Sequence, residues 1–211
     1  MNIAKYSLKT ADNTIVVQCA AHLKEQAEWL LNMLNSIQSK GKILTDGVKE
    51  QIGWSLLTLQ KRGSELLVCE PDFWGDPFNN IRADITCTLT ILAKQNKVLS
   101  ILGIEGVPTS FQEKITLLPK CLQAQRTYLK REQPKFPSDS GWCIDVDEKT
   151  PLDDQYEVMA AYQLLDHRPE LLQVLSLPLG YLVIFTGDSI ETILNDKNED
   201  VWNVTDQAVN S

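Results

Sequence analysis

The amino-acid sequence predicts an α+β fold, with mixed or antiparallel sheets and several packed helices. A short β-branched segment at 14–19 precedes a segment with leucines at helical spacing. Two extended segments at 55–60 and 65–70 flank a glycine-containing turn, and an apolar run at 180–185 is typical of a buried strand. The order of strand, helix, hairpin, helix, an uncertain region, strand, two helices and strand favours α+β with an antiparallel or mixed sheet.

The first predicted elements follow from local signals. Residues 14–19 form a strand because the segment is short, apolar and rich in β-branched side chains. The helix after it has apolar residues at steps of three and four, and Gly41 supplies its end. These apolar residues are Leu23, Ala27, Leu30, Leu31, Leu34 and Ile37. The strands 55–60 and 65–70 then form a predicted hairpin around Gly63.

A loop at 71–80 is rich in Pro, Asp, Asn and Gly and contains Phe73, Trp74 and Phe78. Two interpretations are open, because an aromatic loop either folds back onto the core or forms a binding tip. A second helix is predicted after it, capped by Asp84 and extending to Leu102.

The C-terminal part begins after an ambiguous region at 110–132, where Pro119 interrupts any helix and 126–131 can form a strand. Pro134 and Pro137 mark a short rigid connection. We therefore expect an N-terminal α+β domain at 1–133 and a C-terminal acidic α+β domain at 138–211.

Five elements are predicted in the C-terminal domain. Asp154 is the expected N-cap of a helix because Glu157 follows it three residues later. The predicted elements are a strand at 141–146, a helix at 154–165, a short helix that starts at Pro169, a strand at 180–185 and a short helix at 190–194.

The charge is distributed unevenly along the chain. Residues 1–138 carry 17 basic and 13 acidic side chains, for a net charge of +4, whereas residues 139–211 carry 3 and 15, for a net charge of −12. A charge of this size repels phosphate backbones, so we expect no nucleic-acid partner for the C-terminal part. It favours a basic partner, although a solubilising acidic surface with no specific partner is also compatible with it.

The cysteines and the N-terminus indicate a reducing compartment. Five widely spaced cysteines without a CxxC pair are typical of buried free thiols, not of a disulfide framework or a zinc site. They are Cys19, Cys69, Cys87, Cys121 and Cys143. The first ten residues lack the apolar core of a secretory signal, and no run of about 18 apolar residues suggests a membrane span. We therefore expect a cytoplasmic protein with no membrane partner.

Motifs for catalysis are missing from the sequence. There is no phosphate-binding GxxxxGK[ST] or GxGxxG, and the sequence at 186–189 is not a GxSxG nucleophile elbow. His167, beside Asp166, is expected to be a C-terminal helix residue. Acidic residues cluster at Asp145, Asp147, Glu148, Asp153 and Asp154, and their spacing is not that of an EF-hand. This cluster is a solvated loop, a surface for a basic partner or a metal site.

One segment resembles a known family. Asp139-Ser140-Gly141-Trp142 is followed by a strand, an acidic loop, a helix and a Pro-Leu-Gly-Tyr turn into a strand. This arrangement, over about 137–188, resembles immunity proteins of bacterial polymorphic-toxin systems, and residues 66–71 resemble the N-terminal part of their longer members. Ser140, Gly141 and Trp142 are expected to be structural, because Gly permits unusual backbone angles and Trp buries much apolar area.

The resemblance implies a cytoplasmic antitoxin that neutralises a co-encoded toxin delivered by contact-dependent or type VI secretion. We therefore predict a protein without catalytic residues, cofactor or metal, whose partner is a toxin with a basic surface. The five acidic residues at 145–154 would steer the encounter, and Phe73 or Trp74 would anchor the complex. The alternative is a small carboxylate-dependent or metal-assisted hydrolase. A homo-oligomer is possible, but nothing in the sequence indicates one.

Overall fold

A computed structural model describes residues 2–10, 13–146 and 155–203. The chain divides into two compact units, 1–93 and 94–211. Residues 134–137, where the sequence predicts a domain boundary, form the loop between two paired strands of the second unit. The fold class is α+β, as the sequence predicts, and the described residues form twelve strands in two mixed sheets.

The first unit is built on a six-stranded sheet. Its strands are β1 (Ile3–Lys9), β2 (Thr14–Ala20), β3 (Lys49–Ile52), β4 (Ser55–Arg62), β5 (Glu65–Pro71) and β6 (Ile81–Arg82). The order is β1-β2-β5-β4-β3, and β6 pairs with β5. The β2–β5 pair is parallel and the other pairs are antiparallel. The predicted strand at 14–19 and the predicted hairpin are confirmed as β2 and as β4–β5.

The described residues of this part of the chain form two α-helices, and a 3₁₀ turn at Ala21–Leu23 precedes the first. Helix α1 (Lys24–Ser39) packs against β1 and β2 through Ala27, Leu30, Leu31 and Leu34, which are all buried. Helix α2 (Thr86–Leu102) starts in the first unit and ends in the second. The Asp84 carboxylate accepts hydrogen bonds from the backbone N–H and the hydroxyl of Thr86, at 3.0 and 2.5 Å. This confirms Asp84 as the cap.

The second unit has its own six-stranded sheet, in the order β10-β7-β9-β8-β11-β12. The strands are β7 (Lys114–Leu117), β8 (Arg126–Arg131), β9 (Asp139–Val146), β10 (Glu157–Ala160), β11 (Leu182–Thr186) and β12 (Ser189–Leu194). Only the β7–β9 pair among these described strands is parallel. The strands predicted at 126–131, 141–146 and 180–185 are confirmed as β8, β9 and β11.

The helical segments of the second unit are short. Helix α3 (Leu164–His167) ends at His167, as predicted. Among the described residues of this unit, three 3₁₀ segments accompany it, at Pro119–Leu122, Ala161–Gln163 and Pro169–Val174. Pro119 and Pro169 each occupy the first turn of such a segment, where a missing N–H leaves no hydrogen bond unmade.

Two predicted helices are wrong. Most of the segment at 154–165 forms β10 and a 3₁₀ turn, because residues 157–160 pair with β7; Asp154, the expected cap, lies outside the described residues. The segment at 190–194 belongs to β12, which pairs with β11 after a turn at Gly187. Gly187 has a φ of +58°, which suits a tight turn between antiparallel strands.

No helix in the described part of the chain is long and apolar enough to cross a lipid bilayer.

Candidate functional site

The Asp139-Ser140-Gly141-Trp142 motif lies inside β9, at a point where the backbone departs from regular pairing. The Asp139 carboxylate accepts hydrogen bonds from the backbone N–H groups of Lys135 (2.8 Å) and Gly141 (2.9 Å). Gly141 has a φ of +78°, and a Cβ at this position would collide with the carbonyl oxygen of Glu132. Only glycine therefore fits here without a shift of the backbone.

Ser140 connects the motif to the neighbouring parallel strand. Its hydroxyl donates to the carbonyl of Lys114 at 2.7 Å and accepts from the backbone N–H of Trp142 at 3.2 Å. The β7–β9 register shifts between Lys114 and Thr116, next to this contact. The serine side chain thus replaces regular ladder hydrogen bonds where the strand bulges.

Trp142 and Arg131 form the buried centre of the motif. The Trp142 indole N–H donates to the carbonyl of Leu175 at 3.2 Å, and the guanidinium of Arg131 lies 5.8 Å from the indole centroid. Arg131 also donates to the carbonyls of Val107 (2.5 Å) and Leu177 (2.6 Å). Burial lowers the pKa of the Arg131 guanidinium, yet an arginine remains charged at neutral pH.

A second buried arginine has a similar role. Arg168 donates to the carbonyls of Cys121 (3.0 Å), Ala124 (3.2 Å) and Gly187 (2.5 Å), and to the hydroxyl of Thr127 (2.6 Å). Hydrogen bonds from a charged donor are stronger than neutral ones, so each arginine joins several loops to the sheet. These contacts give the motif and the two arginines a scaffold role.

Of the five residues in the predicted acidic cluster, the structure describes Asp145. Asp145 lies on β9, where its carboxylate accepts hydrogen bonds from the Tyr156 hydroxyl (2.5 Å) and the backbone N–H of Val146 (2.7 Å). Asp147, Glu148, Asp153 and Asp154 lie outside the described residues.

The two predicted aromatic anchors lie in different environments. Phe73 is 3% exposed and stacks on the buried Trp54, with 4.8 Å between ring centroids. Trp74 is 55% exposed, and Phe78, in the same loop, is 54% exposed. The sequence left open whether this loop folds back onto the core or exposes its aromatic side chains. The structure combines the two, since one aromatic side chain enters the core and two face solvent.

Residues 94–203 match the family model of the Imm33-like domain. The match covers about half of the chain and includes the whole motif segment. The chain belongs to the Imm33-like family. No curated protein and no solved structure matches it.

Membership confirms the resemblance to immunity proteins that the motif segment indicates. The Imm33-like domain begins at residue 94, so it coincides closely with the second compact unit, 94–211. It does not include residues 66–71, which the sequence also related to longer immunity proteins. The first unit is therefore an addition to the family domain in this chain.

The Imm33-like unit carries most of the negative charge. Residues 94–211 have 11 basic and 18 acidic side chains, for a net charge of −7, and residues 1–93 have 9 and 10, for a net charge of −1. Several basic side chains on the surface of the Imm33-like domain form ion pairs with acidic side chains of the same domain. Lys94 pairs with Glu170 at 2.7 Å, Arg126 with Glu191 at 2.8 Å, and Lys130 with Glu132 at 2.9 Å.

All five cysteines are free thiols, and Cys19, Cys69 and Cys121 are buried. Burial raises the pKa of Cys19 to about 11 and that of Cys121 to about 12, so both remain protonated and poorly nucleophilic at neutral pH. Within the described residues, no three His, Cys, Asp or Glu side chains lie together as a metal site would require.

One buried titratable residue lies in the segment 66–71, for which the sequence predicts no titratable site. Glu70 is buried on β5, and its carboxylate accepts the backbone N–H of Thr88 in the first turn of α2 at 2.7 Å. Burial raises the pKa of Glu70 to about 8, although the Thr88 hydrogen bonds oppose the shift. The signal in the sequence was a glutamate at the end of an apolar strand.

Proposed function

We propose that this chain is a cytoplasmic immunity protein that neutralises a cognate bacterial toxin by binding it. The observation that carries the proposal is the match of residues 94–203 to the Imm33-like domain. Immunity of this kind requires a stable complementary surface and no chemistry of its own. The proposal includes delivery of the toxin by contact-dependent or type VI secretion, as for polymorphic toxins generally.

The architecture of the Imm33-like domain supports a binding role. The motif at 139–142 contributes a buried tryptophan, a backbone bulge and hydrogen bonds to the main chain. Arg131 and Arg168 are also directed at backbone carbonyls. Residues held in this way maintain the shape of a surface, which favours recognition by contact.

The charge supports a basic partner. A net charge of −7 on residues 94–211 attracts a cationic toxin surface over several ångströms and speeds the encounter. The same charge opposes binding to nucleic acid or to an anionic membrane. We assign the steering role to Asp145 and to Asp147, Glu148, Asp153 and Asp154 beside it in the sequence.

The test uses the toxin domain encoded next to this chain's gene. That domain is expressed from an inducible promoter in a laboratory bacterium, with and without this chain, and surviving colonies are counted. The expected result is loss of viability with the toxin alone and recovery of at least 100-fold with this chain present. Purified components should form a stoichiometric complex with a dissociation constant in the nanomolar range or below, about −12 kcal/mol or tighter.

A matched control separates binding from a general effect on growth. The same strain carries an unrelated toxin together with this chain, and no protection is expected. Degradation of the toxin without a stoichiometric complex would contradict the proposal, because it would indicate an enzyme.

A further inference from the structure

The loop between β5 and β6 in the first unit, residues 72–80, exposes large apolar side chains and is here called the aromatic loop. Trp74 and Phe78 are each more than half exposed, and Ile81, at the start of β6, is 38% exposed. Three large apolar side chains within eight residues are more than scattered surface hydrophobics. The loop lies outside the family domain, so family membership does not account for it.

The aromatic loop is held in one conformation by its own contacts. Its ends are joined by the β5–β6 pairing and by a hydrogen bond from the Asp72 N–H to the Asn80 carbonyl at 2.9 Å. The Asp76 carboxylate accepts the backbone N–H groups of Phe78 (3.0 Å) and Asn79 (3.2 Å) and the Asn79 side-chain amide (2.8 Å). The exposed rings are therefore displayed on an ordered frame.

Phe73 fixes the frame to the core. It stacks on Trp54, whose indole N–H donates to the carbonyl of Thr88 at 3.4 Å, and Trp74 meets it edge-on at 6.4 Å. An aromatic side chain presented by a rigid loop loses little conformational freedom on binding. Such residues are the ones that dominate binding energy at protein interfaces.

The charges on the loop indicate what it binds. Arg82 lies 5.3 Å from the Trp74 ring and 3.7 Å from the Asp72 carboxylate, so the loop already holds one cation against an aromatic face. The Asn79 amide lowers the pKa of Asp76, which therefore remains ionised beside Phe78. The loop thus presents apolar rings with a net negative charge.

This combination favours a basic protein surface over other occupants. Nucleic acids and bacterial membranes are anionic and would be repelled by Asp76 and by the chain's net charge of −8. A symmetric contact between two copies would bring the two Asp76 carboxylates toward each other. An apolar pocket with arginine or lysine at its rim would satisfy both the rings and the carboxylate.

We infer that the aromatic loop is a docking site for the toxin. Trp74 and Phe78 insert into an apolar pocket of the toxin that has arginine or lysine side chains at its rim. This inference rests on the proposed function and adds a contact outside the Imm33-like domain. It explains why the first unit presents ordered apolar side chains to solvent.

The experiment measures the full chain against the purified toxin domain encoded beside its gene, by biolayer interferometry. Trp74→Ala and Phe78→Ala are each expected to weaken binding at least 30-fold, mainly through faster dissociation. The matched control is Trp29→Ala, because Trp29 is 44% exposed on α1 and lies outside the loop. It should stay within twofold of wild type, and all three variants should melt within about 2 °C of it.

Hydrogen exchange gives an independent readout that does not depend on a substitution. Amides of 72–80 should be further protected when the toxin domain is bound. Wild-type affinity in both loop variants, with no added protection, would overturn this inference and leave the proposed function intact. Absence of binding by the wild-type chain would instead remove the proposed function. A wild-type dimer that Trp74→Ala dissociates would also overturn the inference, in favour of self-association.

Discussion

The guanidinium of Arg131 lies 5.8 Å from the ring centroid of Trp142, so a buried cation faces the tryptophan of the Asp139-Ser140-Gly141-Trp142 motif. Arg131 precedes the motif by eight residues in the chain and pairs with Trp142 across β8 and β9. The Arg131 guanidinium also reaches the carbonyl of Ser140 at 3.2 Å. The arginine and the motif are thus parts of one network.

Arg131→Met should destabilise the chain by about 3 kcal/mol, because two buried carbonyls and one partly buried carbonyl would lose a charged donor. The carbonyls belong to Val107, Ser140 and Leu177. Urea unfolding followed by circular dichroism measures the change in the free energy of unfolding. The control is Arg126→Met on the same strand, whose exposed ion pair with Glu191 is worth at most about 1 kcal/mol. Equal losses in the two variants would contradict the structural role of Arg131.

Gly141→Ala should lower the free energy of unfolding by about 2 kcal/mol or more, since the left-handed backbone costs about 1–2 kcal/mol and the collision with Glu132 adds to it. Gly187→Ala separates the two causes. Gly187 has a similar φ of +58°, but a Cβ there would find its nearest neighbour, the Gln125 amide, at 3.5 Å. Its loss should therefore be the smaller of the two by thermal or urea unfolding.

Glu70 should make the stability of the chain depend on pH. Its pKa is about 8 in the folded chain and near its ordinary value of 4.5 in the unfolded chain. Between these values the unfolded chain binds fewer protons, so the free energy of unfolding falls as pH rises, by at most about 1.4 kcal/mol per pH unit. The stability that the protonated Glu70 side chain contributes is fully present below pH 4.5 and is lost by about pH 8.

Glu70→Gln should remove that slope, because glutamine has the shape of the protonated acid and still accepts the Thr88 N–H. The variant is expected to be more stable than wild type at pH 8 by urea unfolding. Glu65→Gln, on the same strand but with an exposed side chain paired with Lys5, is the control and should retain the wild-type slope. A slope that persists in Glu70→Gln would assign the pH dependence to another group.

Local signals in the sequence were sufficient for the elements that local physics determines. The β-branched residues of β2, the leucine spacing of α1 and the cap at Asp84 were all visible in short windows. The edge strand β1 also carries such a signal, because polar and apolar residues alternate along it. Helix was predicted for β10 and β12 because their conformation depends on pairing with β7 and β11.

The candidate site was less predictable for the same reason. Sequence places Phe73 and Trp74 side by side, and an irregular loop has no period that tells which ring is buried. Burial of Arg131 is equally hidden, since charged residues on strands are usually exposed and only the fold brings three carbonyls to its guanidinium. The motif itself was recognisable because its Gly and Trp each have a local structural requirement.

Neutralising the five acidic residues at 145–154 should slow association with the toxin and leave the dissociation rate nearly unchanged. Charges that steer an encounter act on the association rate. The variant carries Asp145→Asn, Asp147→Asn, Glu148→Gln, Asp153→Asn and Asp154→Asn. In stopped-flow experiments its association rate should fall about 10-fold at low salt and depend less steeply on ionic strength than that of wild type. Glu25→Gln with Glu28→Gln, on the exposed side of α1, is the control for charge removal in the first unit. An unchanged association rate and salt dependence in the variant with five substitutions would show that other carboxylates of residues 94–211 steer the encounter.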